Sequence, residues 1–434
     1  MAERNGVNHY IYDWNIAGTG YPHRETTVEL NDETLRDGLQ SPSVRDPPIA
    51  KKIELLHLMA QLGIHAADLG LPGAGPRARA DIVQLCREIQ RSNLAIAPNC
   101  AVRTALPDVN ALIEIADLVG MPIEACAFIG SSAIRQYAEE WSLDHMLKLT
   151  EDAVSLAVAH GLPVTFVTED TTRAAPDTIR RLYKTAIEAG ASRVCITDTV
   201  GHITPRGVRN LIPYVRQLIH ETGEDIKVDW HGHNDRGLAV INTITAMTSG
   251  ADRVHATALG LGERVGNCSM DQLLVNLRLM NYINSDLEPL RKYVDTASEA
   301  TGVPIPSNYP VFGTDAFRTA TGVHAAAIIK AKKKDDGWLA DRIYSGVPAA
   351  MVGTKQRIDI GFMSGVSNVV YWLVEHGIEP DEALVTEVFR AAKEGDRVMT
   401  DDEVEQIVRF VMNSRGRPMP VDTIEAWKRE MKTS

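Results

Sequence analysis

From residue 27 to about residue 280, short runs of apolar and β-branched residues alternate with longer stretches in which apolar positions recur every three or four residues. The short runs are 27–32 (TVELND), 64–70 (IHAADLG), 94–100 (LAIAPNC), 123–130 (IEACAFIG), 163–170 (PVTFVTED), 193–199 (RVCITDT), 226–233 (IKVDWHGH) and 252–260 (DRVHATALG). Between them lie helix-patterned stretches such as PIAKKIELLHLMAQLG and PDTIRRLYKTAIEAG, each closing on a glycine suited to a left-handed helix end. Strand–helix alternation predicts parallel strands joined by crossover helices. Eight such units predict an α/β fold of the closed (β/α)8 TIM-barrel type over residues 27–285. An open doubly wound sheet more often has about six strands and a glycine-rich first turn. The first turn here, DETLRDG, is unsuited to cradling a pyrophosphate.

Polar residues gather at the ends of these strands: Asp32, Asp68, Asn99, Glu169, Asp198, His231 and His233. A barrel builds its active site at the C-terminal mouth from groups on several strands, so this placement predicts a site there. After residue 280 the cadence breaks. TGVPIPSNYPVFGTD (301–315) is rich in proline and glycine, and residues 286–320 read as a linker. Residues 321–434 read as mostly helical C-terminal subdomains, with helical spacing in VSNVVYWLVEHG and DDEVEQIVRFVMN. Residues 1–26 form an N-terminal extension whose aromatics (Tyr10, Tyr12, Trp14, Tyr21) suggest no role.

Composition narrows the function classes. The chain has 434 residues, 44% of them hydrophobic, enough for a large core. A net charge of −12 argues against a nucleic-acid partner, which calls for a basic surface. The basic run KAKKKDD (330–336) turns acidic at once and reads as a solvated loop. Five cysteines, an odd number, are widely spaced with no CxxC, which argues against disulfides and a cysteine-based zinc site and suits a reducing cytoplasm. The polar N-terminus lacks the apolar region of a secretory signal, and no apolar run reaches the length of a membrane span.

His231 and His233 in HGHND carry the sharpest chemistry. Two apart on a strand, their side chains point the same way. An isolated pair of this kind is more often structural. At the seventh strand end of a barrel, with carboxylates on other strands, the pair predicts a shared divalent metal. The third ligand should be a hard anion, with Asp32 and Asp37 as candidates; Asp37 is preferred because it lies past the strand end, beside Arg36. Arg36 can then stabilise negative charge on a polarised oxygen; a surface ion pair is the alternative for Arg36–Asp37. GLGERVGN (260–267) resembles a weak phosphate loop, but Glu263 and Arg264 stand where bare backbone is wanted. Asn267 could instead offer a carbonyl oxygen to the metal. Such a mixed O and N set leaves zinc, manganese and magnesium open. Thr199, at the sixth strand end, suits either a substrate carboxylate or a helix N-cap. His324, in TGVHA, and Tyr344, in RIYSG, are ambiguous alone.

Taken together, DETLRDGLQ, DTVG, HGHNDRGLAVINTITAM, GLGERVGN and TGVHA resemble the motifs of the DRE-TIM metallolyases, over about residues 27–370. The resemblance is to their Claisen-condensing group, which contains 2-isopropylmalate, homocitrate and citramalate synthases. It implies a barrel with helical C-terminal subdomains, condensing acetyl-CoA with a 2-oxo acid and hydrolysing the thioester. It implies metal ligation by Asp37, His231 and His233, with Asn267 coordinating or nearby. Arg36 would polarise the keto oxygen and Thr199 would bind the oxo acid's carboxylate. His324 and Tyr344 would assist proton transfer, supplied by the partner in a domain-swapped homodimer. Glu169 joins the expected catalytic groups, and Gln40, Arg103 and Arg135 the expected substrate-binding ones. Several positions depart from the family pattern. Leu39 replaces a usual Glu, making RDGLQ closer to HMG-CoA lyase; Asp68 replaces a Glu; SGV (364–366) replaces SGR. Arg135, in GSSAIRQ, stands where isopropylmalate synthases carry histidine and resembles homocitrate synthases, which implies an anionic group on the oxo acid's side chain; a solvated loop charge is the alternative. The chain lacks the long regulatory domain of feedback-inhibited isopropylmalate synthases, so no leucine inhibition is expected. The rival readings are a retro-Claisen lyase of the HMG-CoA lyase type, opposed by GERVGN and the helical extension, and a non-catalytic metabolite-binding barrel.

Overall fold

The computed structural model describes residues 11–15 and 28–413. The expected extension at 1–26 therefore lies outside the described residues apart from 11–15. The chain divides into two compact units, Met1–Pro304 and Ile305–Ser434.

The first unit runs β1 (Glu29–Asp32), α1 (Ile49–Gln61), β2 (Ala66–Asp68), α2 (Pro76–Ser92), β3 (Ala97–Arg103), α3 (Leu106–Val119), β4 (Glu124–Gly130), α4 (Ala133–Glu139), α5 (Leu143–Ala159), β5 (Val164–Glu169), α6 (Pro176–Glu188), β6 (Arg193–Asp198), α7 (Pro205–Thr222), β7 (Lys227–Gly232), α8 (Ala239–Ser249), β8 (Arg253–Ala256), α9 (Met270–Leu279) and α10 (Leu290–Thr301). The eight strands pair in chain order, all parallel, and β8 closes on β1. This is the expected TIM barrel. The helix patterns work as read. In α6 the positions Ile179, Leu182, Tyr183, Ala186 and Ile187 form one buried stripe, and Gly190 past its end takes φ 105°.

Two sequence expectations shift. β3 begins later than the run 94–100 and continues to Arg103, because Cys100, Ala101 and Val102 stay buried and in register with Ala125, Cys126 and Ala127. Asn99 is therefore inside the strand rather than at its end. The span 286–320 is not all linker, since α10 lies within it and packs on α1. Its Tyr293 is fully buried; the hydroxyl donates to Asp32 and lies 3.3 Å from the Thr34 hydroxyl. Burial lifts the Asp32 carboxyl to about 6, against the pull of these hydrogen bonds. Asp32 thus faces α10, which removes it as a ligand candidate.

The barrel interior near the strand starts is ionic. Arg253 Nε lies 2.6 Å from Asp229 Oδ2, and its other two nitrogens fork onto Glu124 at 3.0 and 2.5 Å. Arg193 reaches Asp229 Oδ1 at 2.8 Å and also pairs with Glu29. Burial penalises the charge on Asp229, but Arg253, His255 and Arg193 outweigh it and hold its carboxyl well below the usual range. All five cysteines are buried and unpaired.

The second unit is mostly helical: a two-stranded parallel ladder of β9 (Arg318–Thr319) and β10 (Arg357–Ile358), with α11 (Gly322–Lys332), α12 (Gly337–Ala340), α13 (Val366–Glu375), α14 (Glu382–Glu394) and α15 (Asp401–Asn413). Val369, Trp372, Leu373, Leu384, Val388, Val404, Ile407 and Val408 form its core. The basic run at 330–336 is not wholly a loop. Lys330 and Lys332 close α11, where cations suit the negative end of the helix. Among the described residues, no helix is long and apolar enough to cross a membrane.

Removing Arg253 would leave Glu124 without its cation and Asp229 with Arg193 and His255 alone. Arg253→Ala is expected to cost about 3–5 kcal/mol of stability, read by denaturant unfolding; a loss below ~1 kcal/mol would show that the lower network is not needed to hold the barrel closed.

Candidate metal centre at the barrel mouth

The site is assembled by strand periodicity. Along β7 the alternate residues Asp229 and His231 face inward, and His233, one residue past the strand, follows them. β1 ends at Asp32, and the tight turn through Thr34 brings Arg36 and Asp37 over the strand ends. The ligand atoms of Asp37, His231 and His233 converge. His231 Nε2 is 3.2 Å from His233 Nε2, and Asp37 Oδ2 is 3.4 Å from the first and 3.5 Å from the second. All three residues are buried.

That spacing fits a divalent ion. Donors about 2.1 Å from a common centre lie roughly 3.0 Å apart at octahedral angles and roughly 3.4 Å apart at tetrahedral ones. A fourth donor stands close by. Asn267 Nδ2 donates to the Leu261 carbonyl at 3.0 Å, while its Oδ1 is buried with no hydrogen-bond partner. Its main chain bridges to His233, and Gly262 brings the loop close: a Cβ there would lie 2.2 Å from Asn267 Nδ2 and 3.1 Å from Asp37 Oδ1. At φ 152°, Gly262 holds a conformation that side chains rarely take. Turned inward in this way, GLGERVGN is no phosphate cradle. Arg264 is committed to Asp235 at 2.8 and 3.0 Å and to the Thr199 carbonyl at 2.6 Å, which ties together the loops after β6, β7 and β8.

The electrostatics match. Burial resists charge on Asp37, but Arg36, His231 and His233 outweigh it and hold the carboxyl below its usual range. Burial, with His231 as neighbour, lowers His233 to about 4, so its imidazole is neutral at physiological pH, the form that binds metal. Arg36 sits in a cage of acids: Nη2 to Glu33 at 2.6 Å, Nε to Asp68 at 2.9 Å and Nη1 to Asp37 at 3.3 Å. It is no surface pair, and the three contacts leave two of its five N–H donors for a substrate.

The remaining expected residues divide. Thr199 does not sit at a helix cap, since the N-cap position of α7 is Thr204. Its hydroxyl oxygen accepts from the Asp170 N–H at 2.7 Å, leaving its proton to donate. Glu169 ends β5 opposite Gly130; burial raises its pKa, with Arg135 and Arg36 pulling it back. Arg135 is half-exposed on α4, 2.8 Å from Glu139, with its stem lying over Gly130, where a Cβ would lie 2.4 Å from Arg135 Cγ. It is thus held at the β4–β5 edge of the mouth rather than loose in a loop. Arg103 forks onto Asp108 at 2.7 and 2.8 Å and is largely exposed. Gln40 is exposed as the last residue of the 3-10 turn Gly38–Gln40. In the second unit, His324 and Tyr344 are exposed and stack on one another at 4.1 Å.

Sequence reasoning gave no role to Glu33 or His255. Both are buried, and Glu33 Oε2 lies 2.9 Å from His231 Nδ1. In the barrel His255 is in register with Asn31, and Glu33 lies two residues further on, on the same face; that register follows from β8 closing on β1 and is not written in either strand alone.

Comparisons with known proteins agree with this architecture. Residues 27–297 match the HMGL-like family. The chain is 33% identical to homocitrate synthase AksA of Methanopyrus kandleri, over 90% of this chain and 94% of that one. It is also 33% identical to a probable 2-isopropylmalate synthase of the same organism, over 85% and 70%. Among solved structures, the HMG-CoA lyase of Bacillus subtilis superposes with a TM-score of 0.55 at 20% identity, covering 66% of this chain and 97% of that one, a likeness of fold.

A divalent cation at 100 times its dissociation constant is expected to add about 2.7 kcal/mol to unfolding. Denaturant curves with Mn²⁺ or Zn²⁺ against chelator measure this, and His233→Ala should abolish it. A wild-type curve indifferent to both ions would count against the triad.

Proposed function

The chain belongs to the HMGL-like family, and on that premise we propose that it is a metal-dependent synthase joining the acetyl group of acetyl-CoA to the keto carbon of a 2-oxo acid, then hydrolysing the thioester. The observation that carries this is the convergence of Asp37, His231 and His233 beside a caged arginine. Asp37, His231 and His233, with Asn267, would hold the ion: zinc, manganese or magnesium. When bound, it supplies Lewis acidity toward the oxo acid's oxygens.

The rest falls to the chain's own groups. Arg36 offers its free N–H donors to the keto oxygen, where negative charge develops; a well-placed donor of this kind is worth about 10²–10³ in rate. Thr199 donates to the oxo acid's carboxylate. Glu169, whose carboxyl burial pushes toward neutrality, stands at the mouth as a candidate to move a proton, a contribution of typically ~10²–10⁴. His324 and Tyr344 would assist proton transfer from the partner copy in a domain-swapped homodimer. Gln40 and Arg103 remain substrate-contact candidates, Arg103 with its guanidinium already engaged by Asp108. Unpaired buried thiols suit a reducing cytoplasm.

For the oxo acid, we favour one with an anionic side chain. Arg135 at the β4–β5 edge, beside Glu169, can pair with a distal carboxylate. The relative named homocitrate synthase points the same way.

Incubating the protein with acetyl-CoA, divalent metal and a panel of pyruvate, 2-oxoisovalerate, 2-oxoglutarate and oxaloacetate is expected to release free coenzyme A thiol only when an oxo acid is present. Metal bound with no thiol release across the panel would favour a non-catalytic barrel; cleavage of a hydroxyacyl-CoA instead would favour a lyase. Arg135→Ala should lower kcat/KM for dicarboxylic oxo acids about 10–100-fold, the worth of a charged hydrogen bond, and spare apolar ones. An unchanged ratio would remove Arg135 from specificity.

A further inference from the structure

Glu33 occupies an unusual position: a buried carboxylate with a donor on nearly every lone pair. Oε2 takes Arg36 Nη2 at 2.6 Å and His231 Nδ1 at 2.9 Å. Oε1 takes His255 Nδ1 at 2.7 Å and, more distantly, Asn31 Nδ2 at 3.5 Å. His255 in turn places Nε2 3.0 Å from Asp229 Oδ2, so both of its ring nitrogens face carboxylate oxygens. Asp229 is fixed from below by Arg253 and Arg193. No member of this chain of contacts is a proposed ligand except His231 at its end.

We propose that Glu33 and His255 are positioning residues that set the tautomer and ring orientation of His231. The inference rests on the reading of Asp37, His231 and His233 as a metal centre. An ionised carboxylate only accepts, so the His231 nitrogen facing Glu33 must carry the proton. In the neutral ring, the form that binds metal, Nε2 then keeps its lone pair, aimed at His233 and Asp37. His255 supplies the second anchor. Were Glu33 held by Arg36 alone, it could follow that side chain when substrate drew it outward; with Oε1 tied to His255, and His255 tied to Asp229 on β7, the carboxylate is fixed to the barrel wall. The arrangement serves one ligand only. His233 Nδ1 is buried with no hydrogen-bond partner, so its ring takes its place from packing and from the loop bearing Asn267. Carboxylate backing of a metal-binding histidine typically changes metal affinity 10–100-fold.

The test begins with the metal-free wild-type protein, ¹⁵N-labelled at histidine. Long-range ¹⁵N–¹H correlation should find His231 protonated at Nδ1 and bare at Nε2; the opposite tautomer would overturn the proposal without any variant. Binding of Co²⁺ is then followed by its visible absorption and by chelator competition. Glu33→Gln and His255→Gln are each expected to weaken binding about 10–100-fold and alter the absorption envelope. A core truncation, Leu56→Ala, serves as a destabilised control expected to leave affinity unchanged. If both glutamine variants fold and bind within twofold of wild type, or if Leu56→Ala weakens binding as much as they do, the positioning role is wrong. If wild type itself binds no Co²⁺, the metal reading fails instead. Should Glu33→Gln fail to fold, His255→Gln and the tautomer measurement decide the matter.

Discussion

The interior of this barrel is organised by five carboxylates that each meet a cation. Asp37, Glu33 and Asp68 surround Arg36; Asp229 and Glu124 surround Arg253; Arg193 adds a second cation to Asp229, and His255 stands between Glu33 and Asp229. Burial works against every one of these charges, and what holds them ionised is each other. Burial lowers His255's affinity for a proton, yet Glu33 and Asp229 raise its pKa to about 9, so it carries charge across the gap. A buried ion network of this kind is a poor source of net stability, yet losing one partner is costly where a carboxylate has a single cation, as Glu124 has Arg253. Asp68 is the least secure member: burial lifts it to about 7 despite Arg36, which places it near the protonation boundary at neutral pH.

The column explains why the mouth can be at once polar and ordered. Its lower half closes the strand starts, and its upper half ends at the three convergent ligand atoms. The loop after β8 completes the arrangement from the side. Gly262 allows Asn267 to turn inward, and Arg264, itself at φ 58°, holds the loops after β6 and β7 against it.

Much of this was legible in the sequence because barrels write themselves with two periods. Alternation along β7 fixes where His231 points, and helix spacing with terminal glycines locates α1 and α6. Arg36 and Asp37 were readable because they follow a strand end directly. The missing parts are long-range. Glu33 and His255 meet across 222 positions, through the closure of β8 on β1, and no local pattern announces such a meeting. The same applies to α10, whose Tyr293 is held by Asp32, 261 positions away, and which proline and glycine around 301–315 disguised as the start of a linker. Arg135 was visible as a charge, but its placement depends on the missing side chain of Gly130 at the end of another element.

The cysteines have a practical consequence. All five are buried, and burial raises the proton affinity of every thiol, to about 12 for Cys86 and Cys268. A thiolate is the reactive form, so the folded chain is silent toward disulfide chromogens and alkylating agents. Colour that develops with such a reagent around this protein belongs to small molecules, and a slow rise from the protein alone is a direct gauge of how often the barrel opens.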